Sequence, residues 1–253
     1  MTRPKSNNAQ RITAFLKILA FPILLLTFYF SFISEIKDFL NLGNKPHDLD
    51  AESAYREAGN TFYEKELYND ALNEFSKAIN HNPNNGETYR DRGFTYYHLG
   101  KENKKNYLLA IKDFDEALRI NPSDMNANKG RGNTYYNLGK EDKENYTLAI
   151  KDFDHFILVN KEDASAYKSR GNCYFKKEKY DEAINDYNLS IKFDSKNAKT
   201  YRDLGNVYLK KGELIMAIKN IEESLKINPN DKSAMKKLKE AQDKLNKKEK
   251  ASG

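Results

Sequence analysis

The sequence predicts an all-α fold: an α-solenoid of five helix-turn-helix units, preceded by one N-terminal transmembrane helix. Three observations predict it. Five glycines, Gly59, Gly93, Gly132, Gly171 and Gly205, recur at intervals of 34, 39, 39 and 34 residues with the same residue types around each. The spacings inside each unit are three and four residues, the period of a helix. Residues 18–33 carry no charge, which no other stretch of comparable length in the chain matches.

The N-terminal element comes first in the chain. A helix from Ile12 to Ser34 would be about 35 Å long at about 1.5 Å per residue, enough for the hydrocarbon core of a bilayer. Lys17 sits near its start, where its ammonium can reach headgroups. A cleaved signal peptide is the alternative, because Arg3, Lys5 and Arg11 precede the apolar run. The small-x-small pattern that cleavage needs is poor, however: Phe32 with Ser34, or Ser31 with Ile33, puts a bulky residue in one of the two slots. The segment 12–34 is therefore expected to stay as a signal-anchor, with 1–11 as its basic flank. Residues 1–17 hold four basic residues and no acid, whereas 34–52 hold Lys37 and Lys45 against Glu35, Asp38, Asp48, Asp50 and Glu52. The positive-inside bias then leaves the N-terminus cytoplasmic and the C-terminal body on the opposite side of the membrane. Residues 35–51 read as a polar linker, and a secreted or periplasmic product is the alternative if cleavage occurs.

The repeating body follows. Three residues after each glycine stands an aromatic: Phe62, Tyr96, Tyr135, Tyr174 and Tyr208. Four residues before it stands Tyr55, Tyr89, Tyr167 or Tyr201, with Asn128 in the third unit. A second helix is marked by Ala71, Ala110, Ala149, Ala183 and Ala217. Each alanine is preceded at three residues by Tyr68, Tyr107, Tyr146, Tyr180 or Leu214, and followed at four by Phe75, Phe114, Phe153, Tyr187 or Ile221. Asn-Pro pairs at Asn82, Asn121 and Asn228 stop a helix and open the next unit.

These columns resemble the tetratricopeptide repeat, a helix-turn-helix unit with aromatic, glycine, aromatic, alanine, aromatic and proline at fixed offsets. The resemblance covers 52–231 as units 52–85, 86–124, 125–163, 164–197 and 198–231. It implies a right-handed solenoid with the first helix of each pair, helix A, lining a concave groove. Glycine and alanine are expected where helices A and B cross, with aromatics filling the space between pairs. Each unit buries its faces only against its neighbours, so the stack needs a polar end. Residues 232–247, with Met235, Leu238, Ala241 and Leu245 at helical spacing among lysines, are expected to be that capping helix, and 248–253 a disordered tail. Units two and three carry five extra residues each, before Tyr107 and before Tyr146, read as surface insertions or as a charged ridge. Phe156 in place of a small residue, and Lys161 in place of the final proline, lead us to expect looser packing in unit three.

The resemblance implies a non-enzymatic protein that binds peptides or partner proteins in the groove. The candidate contacts run along helix A. A basic residue precedes each glycine by three: Arg56, Arg90, Lys129, Lys168 and Arg202. One residue after it stands Asn60, Phe94, Asn133, Asn172 or Asn206, on the same helix face as the basic residue. Tyr63, Tyr97, Tyr136 and Phe175 form an aromatic row beside them. Such a groove suits an acidic segment or a C-terminal carboxylate. Alternatively, acids beside the basic residues neutralise them into a structural ladder. Arg56 with Asn60 partly resembles the carboxylate clamp of chaperone-binding relatives, but Asp91, Asn126 and Gly130 stand where that clamp needs an amide and two cations, which argues against chaperone docking.

Other classes are disfavoured by what the chain lacks. The net charge of +6 comes from 43 basic and 37 acidic residues that interleave rather than form a stripe, which argues against nucleic acid. One cysteine, Cys173, allows neither an internal disulfide nor a cysteine-rich metal site. No phosphate loop, metal-spaced histidine cluster or nucleophile constellation is present, so no cofactor is expected. Three roles stay open: a membrane-tethered scaffold, a cytosol-facing targeting or chaperone-docking receptor, and a secreted adaptor.

Overall fold

The computed structural model describes residues 51–252, so the predicted anchor 12–34 and the rest of the N-terminal segment lie outside the described residues. Within that range the chain is eleven α-helices with no strand: α1 Ala51–Glu64, α2 Tyr68–His81, α3 Gly86–Leu99, α4 Lys105–Ile120, α5 Met125–Leu138, α6 Glu144–Val159, α7 Ala164–Lys176, α8 Tyr180–Phe193, α9 Ala198–Lys211, α10 Leu214–Ile227 and α11 Lys232–Ser252. No described helix is long and apolar enough to cross a membrane. The odd-numbered helices α1 to α9 are the A helices and the even-numbered ones the B helices. Each A helix packs along its own B helix, each B helix packs on the next A helix, and successive A helices also touch; B helices of neighbouring units make no comparable contacts. The A helices therefore line the tighter, inner side of the stack.

Asparagine and aspartate start the A helices. Asn85, Asp124, Asp163 and Asn197 each accept a hydrogen bond from a backbone N–H of the first turn through the side-chain oxygen. Asn82, Asn121 and Asp194 close B helices, and each side chain accepts from the backbone N–H two residues on, at 3.1, 3.2 and 3.1 Å. An Asx turn thus ends the helix whether or not a proline follows.

The cores repeat as the columns do. Ala71, Ala110, Ala149, Ala183 and Ala217 are fully buried, as are Phe75, Phe114, Phe153 and Ile221, with Tyr187 nearly so. At the A/B crossing it is chiefly the ring of helix B that occupies the glycine's space: a Cβ on Gly59 would stand 2.6 Å from the Phe75 ring. The expectation of loose packing in unit three is corrected. Phe156 is 4% exposed and joins Tyr146, Ala149, Phe153, Ile157, Ala166, Tyr167 and Cys173 in one core cluster. Its ring also receives the Lys129 ammonium at 4.7 Å, a cation–π contact between the two helices of the same unit. The tail expected to be disordered is instead helical as far as Ser252, because 247–252 contains no proline or glycine to stop α11.

The insertions change the turn between A and B. In the 34-residue units the turn passes through a left-handed residue, Glu66, Glu178 or Gly212, at φ 60°, 60° and 78°. In units two and three Gly100 and Gly139 instead stay right-handed, at φ −61° and −60°. The five extra residues form a turn, lengthen the B helix to 16 residues, and place Tyr107 and Tyr146 over the glycines. A Cβ on Gly100 would lie 2.3 Å from the Tyr107 ring, so glycine is needed there for space rather than for φ. The two inserted loops are joined by an ion pair between Lys104 and Glu141. Since a left-handed side chain costs about 1–2 kcal/mol and the added unfolded-state freedom of glycine returns part of that, Glu178→Gly is expected to stabilise the protein by about 0.5–1 kcal/mol, read as a higher urea midpoint.

Candidate functional site: the inner face of the A helices

The predicted groove residues all lie on A helices, half-buried, but they are not equivalent. Four of the five basic residues reach forward to carboxylates at the start of the following A helix or, for Arg202, of α11. Arg56 pairs with Glu87 at 2.6 Å and Asp91 at 3.2 Å, and Arg90 with Asp124 at 3.0 Å. Lys129 pairs with Asp163 at 2.7 Å and Arg202 with Asp231 at 2.9 Å. Asp124, Asp163 and Asp231 also accept first-turn backbone N–H groups, so one carboxylate joins the helix start of one unit to the cation of the previous one. Lys168 has no ion pair among the described residues.

The amides divide in the same way. Asn172 accepts from the Tyr187 hydroxyl at 2.6 Å, and Asn206 accepts from the Lys237 ammonium of α11. Asn60, with Tyr63, Phe75, Asp91 and Phe94, lines a cleft of about 70 Å³ between units one and two. Each aromatic of the row rests on the ring that opens its own B helix. Tyr63 meets Tyr68 at 5.8 Å, Tyr97 meets Tyr107 at 5.9 Å, Tyr136 meets Tyr146 at 5.8 Å and Phe175 meets Tyr180 at 6.0 Å. Burial pushes the Tyr136 hydroxyl up to about 12, so it stays a neutral donor and acceptor at physiological pH. Phe94 turns edge-on to Phe114 at 5.1 Å and is as much core as groove.

His98 sits among Tyr63, Tyr68 and Tyr97. It stacks on Tyr68 at 5.1 Å, meets the other two edge-on, and is 3.3 Å from the Tyr68 hydroxyl through Nδ1. Burial, with Lys101 adding to it and Glu66 opposing, lowers its pKa. A histidine whose folded pKa lies below its unfolded value near 6.5 is protonated first in the unfolded chain. Its contribution to stability is whole above that value and falls as the pH drops through it. His98→Phe is therefore expected to lose less stability than the parent between pH 7.5 and 5, in paired urea titrations.

Three ion pairs on the far side of the A helices were not anticipated. Arg92, Arg131 and Arg170 each grip an aspartate of their own B helix with both forks: Asp113 at 2.7 and 2.8 Å, Asp152 at 2.9 and 2.7 Å, and Asp186 at 2.8 and 2.7 Å. Each also reaches the preceding B helix, at Ser76, Asp115 or Asp154. Burial pushes the three aspartates up against the opposing pull of their arginines, while the arginines stay high in spite of burial. The bidentate geometry is that of ionised pairs. The signal was in the repeat: arginine stands just before the glycine in the units that carry aspartate three residues after the alanine. In unit one Ala58 faces Glu74, and in unit five Leu204 faces Asn220.

Fold and inner face together define a helical-repeat protein whose polar residues recur with the repeat. Parts of the chain match tetratricopeptide-repeat models: one described as TPR repeat matches residues 59–100 and 171–212, and one described as tetratricopeptide repeat matches 198–231. The matches stop and resume on either side of the two inserted loops. Among curated proteins the chain is similar to DnaJ homolog subfamily C member 7 of Mus musculus, 39% identical over 70 residues, which is 25% of this chain and only 14% of that relative. Among solved structures it is similar to MamA, residues 41 to the end, from Desulfovibrio magneticus RS-1, with a TM-score of 0.65 at 20% identity, covering 73% of this chain and 98% of that one. YrrB, described as a TPR protein with an unusual peptide-binding site, gives 0.61 at 21% identity over 72% and 89%. TTC0263, a thermophilic TPR protein of Thermus thermophilus, gives 0.55 at 20% over 75% and 98%. At these identities the likeness is one of fold.

Proposed function

We propose that this chain is a membrane-tethered scaffold that holds an extended peptide segment or a partner protein against the inner face of its A helices. The observation that carries the reading is the row of amides and aromatic edges on that face. Asn60, Asn133, Asn172 and Asn206, with Tyr63, Tyr97, Tyr136 and Phe175, are only partly buried and each row recurs in four of the five units, so an extended chain meets an amide, a ring or both at each step. The fold is in general a non-catalytic interaction scaffold, and YrrB is described as having a peptide-binding site, which supports the same reading. The tether rests on the uncharged run 18–33, and its orientation, N-terminus cytoplasmic and body opposite, on the basic flank.

Two experiments test this. Decapeptides selected from a random display library on the full chain in mild detergent are expected to lose binding on Asn133→Trp, which fills the inner face from a half-exposed position. Selected peptides that bind that variant as well as the parent overturn the groove. For the tether, single cysteines at Asn41 and Ala251 on a Cys173→Ala background are expected to label from the side of the membrane opposite the N-terminus. Labelling only from the cytosolic side would instead favour a targeting receptor, and a cleaved soluble product would overturn the anchor.

A further inference from the structure

Along the inner face four of the five cations are answered by acids at the start of the following helix, A or α11, at one of two places. One is its N-cap, which is Asp124 for Arg90, Asp163 for Lys129 and Asp231 for Arg202. The other lies two residues further on and serves Arg56, whose facing cap is the amide Asn85: it is Glu87. Lys168 meets neither. Its facing cap is Asn197, again an amide, and the position that corresponds to Glu87 is Lys199. The rule that neutralises the ladder elsewhere is thus broken once, and broken by reversal of charge.

The neighbouring position repeats the anomaly. Two residues before the glycine column units two and five carry Asp91 and Asp203, whereas α11 carries Lys237 at the corresponding place. Lys237 is half-buried and donates to Asn206, an amide rather than a carboxylate. Lys168 and Lys237 share Arg202 and Asp203 as charged neighbours, so they flank the same stretch of groove. Asp203 is already engaged by Arg202 at 3.2 Å. Burial lowers the pKa of both lysines; Lys199 and Arg202 add to this at Lys168, and Arg202 and Lys210 at Lys237, against the opposing pull of Asp203 and Asp194 at Lys168 and of Glu240 and Asp203 at Lys237. A lysine ammonium only donates, so the oxygen of Asn206 must face Lys237, which leaves the Asn206 amino group as a further donor.

From this juxtaposition we propose that the groove of units four and five and α11 is an anion subsite, in which Lys168 and Lys237, with Lys199, Arg202 and Lys210 around them, take the carboxylate side chains of an acidic, extended peptide segment. The inference deepens the scaffold reading and rests on it. Several cations spread over three A-type helices match a run of acidic side chains better than a single terminal carboxylate. The N-terminal half of the same groove, where Arg56, Arg90 and Lys129 are already answered, offers no such excess of positive charge.

The probe is the C-terminally amidated, fluorescein-labelled octapeptide Asp-Glu-Leu-Asp-Glu-Leu-Asp-Glu, with its Asn/Gln counterpart as reference, in anisotropy titrations on the full chain in mild detergent. The acidic peptide is expected to bind at least tenfold more tightly than the neutral one and to weaken as salt rises. Lys168→Met/Lys237→Met is expected to lose at least tenfold, Lys168→Arg/Lys237→Arg to retain binding, and Lys104→Met/Lys226→Met, which removes the same charge from exposed positions elsewhere, to change it less than twofold. Methionine keeps the apolar stem, and a thermal melt of each variant verifies folding. Equal binding of acidic and neutral peptides, or of the Lys168/Lys237 double variant and the parent, overturns the subsite. The two readings fail separately. If library peptides are lost on Asn133→Trp while Lys168→Met/Lys237→Met leaves the acidic octapeptide bound, the groove stands and the subsite is wrong.

Discussion

Arg131→Ala is expected to destabilise the solenoid by about 3–5 kcal/mol, the range for removing one partner of a buried ion pair. Asp152 is 2% exposed and is held through both carboxylate oxygens by the Arg131 fork, so truncation strands a buried carboxylate. Arg131 also pairs with Asp115 of the preceding B helix, and the same change loosens the boundary between units two and three. The loss belongs to the stranded charge rather than to the pair. Arg131→Leu/Asp152→Asn, which copies the Leu204 and Asn220 that unit five carries at these places, should restore most of the stability. Urea unfolding followed by circular dichroism gives both numbers. A single variant within about 1 kcal/mol of the parent would mean that Asp152 protonates or rehydrates at small cost.

Phe114→Ala is expected to cost about 3–5 kcal/mol, the usual range for emptying the space of a buried phenylalanine. Its ring is fully buried and serves two units at once, because it lies 3.0 Å from where a Cβ on Gly93 would stand and 2.6 Å from one on Gly130. The deletion therefore acts on the junction as well as on unit two. In a linear stack, stability is a sum of unit and interface contributions, so a weakened junction lets the two sides unfold at different denaturant concentrations. The expected signature is a broadened or split transition, with the half that contains α1 to α3 leaving first. A single sharp transition shifted to lower urea would show that the remaining contacts still couple the halves.

Much of the fold was legible because its causes are local. Gly, Ala and aromatic residues at three- and four-residue spacings define two helices per unit wherever they occur, and Asn or Asp before α3, α5, α7 and α9 caps each without help from elsewhere. Where the reading missed, the cause was distant. Phe156 looked like an intrusion until Lys129, 27 positions earlier in the chain, was seen to lie over its ring. The turns of units two and three could not be read from Gly100 and Gly139 alone, because it is Tyr107 and Tyr146 that exclude a side chain there. The Arg–Asp pairs of units two to four were visible as a correlation between columns 16 and 21 residues apart, but nothing local marks those columns as facing each other.

The basic column shows where the division falls. By itself the sequence determined that five cations stand on one face of five A helices, since a helix places residues of like offset on like faces. Which of them are answered was decided by the tertiary structure. The stacking of successive A helices sets a cation beside the first turn of the helix that begins some 30 residues later, and whether that turn offers aspartate, glutamate, asparagine or lysine leaves the cation neutralised or available. Helical periodicity acts within a few residues and is written in the sequence, whereas charge pairing acts through space and depends on how one unit is rotated against the next.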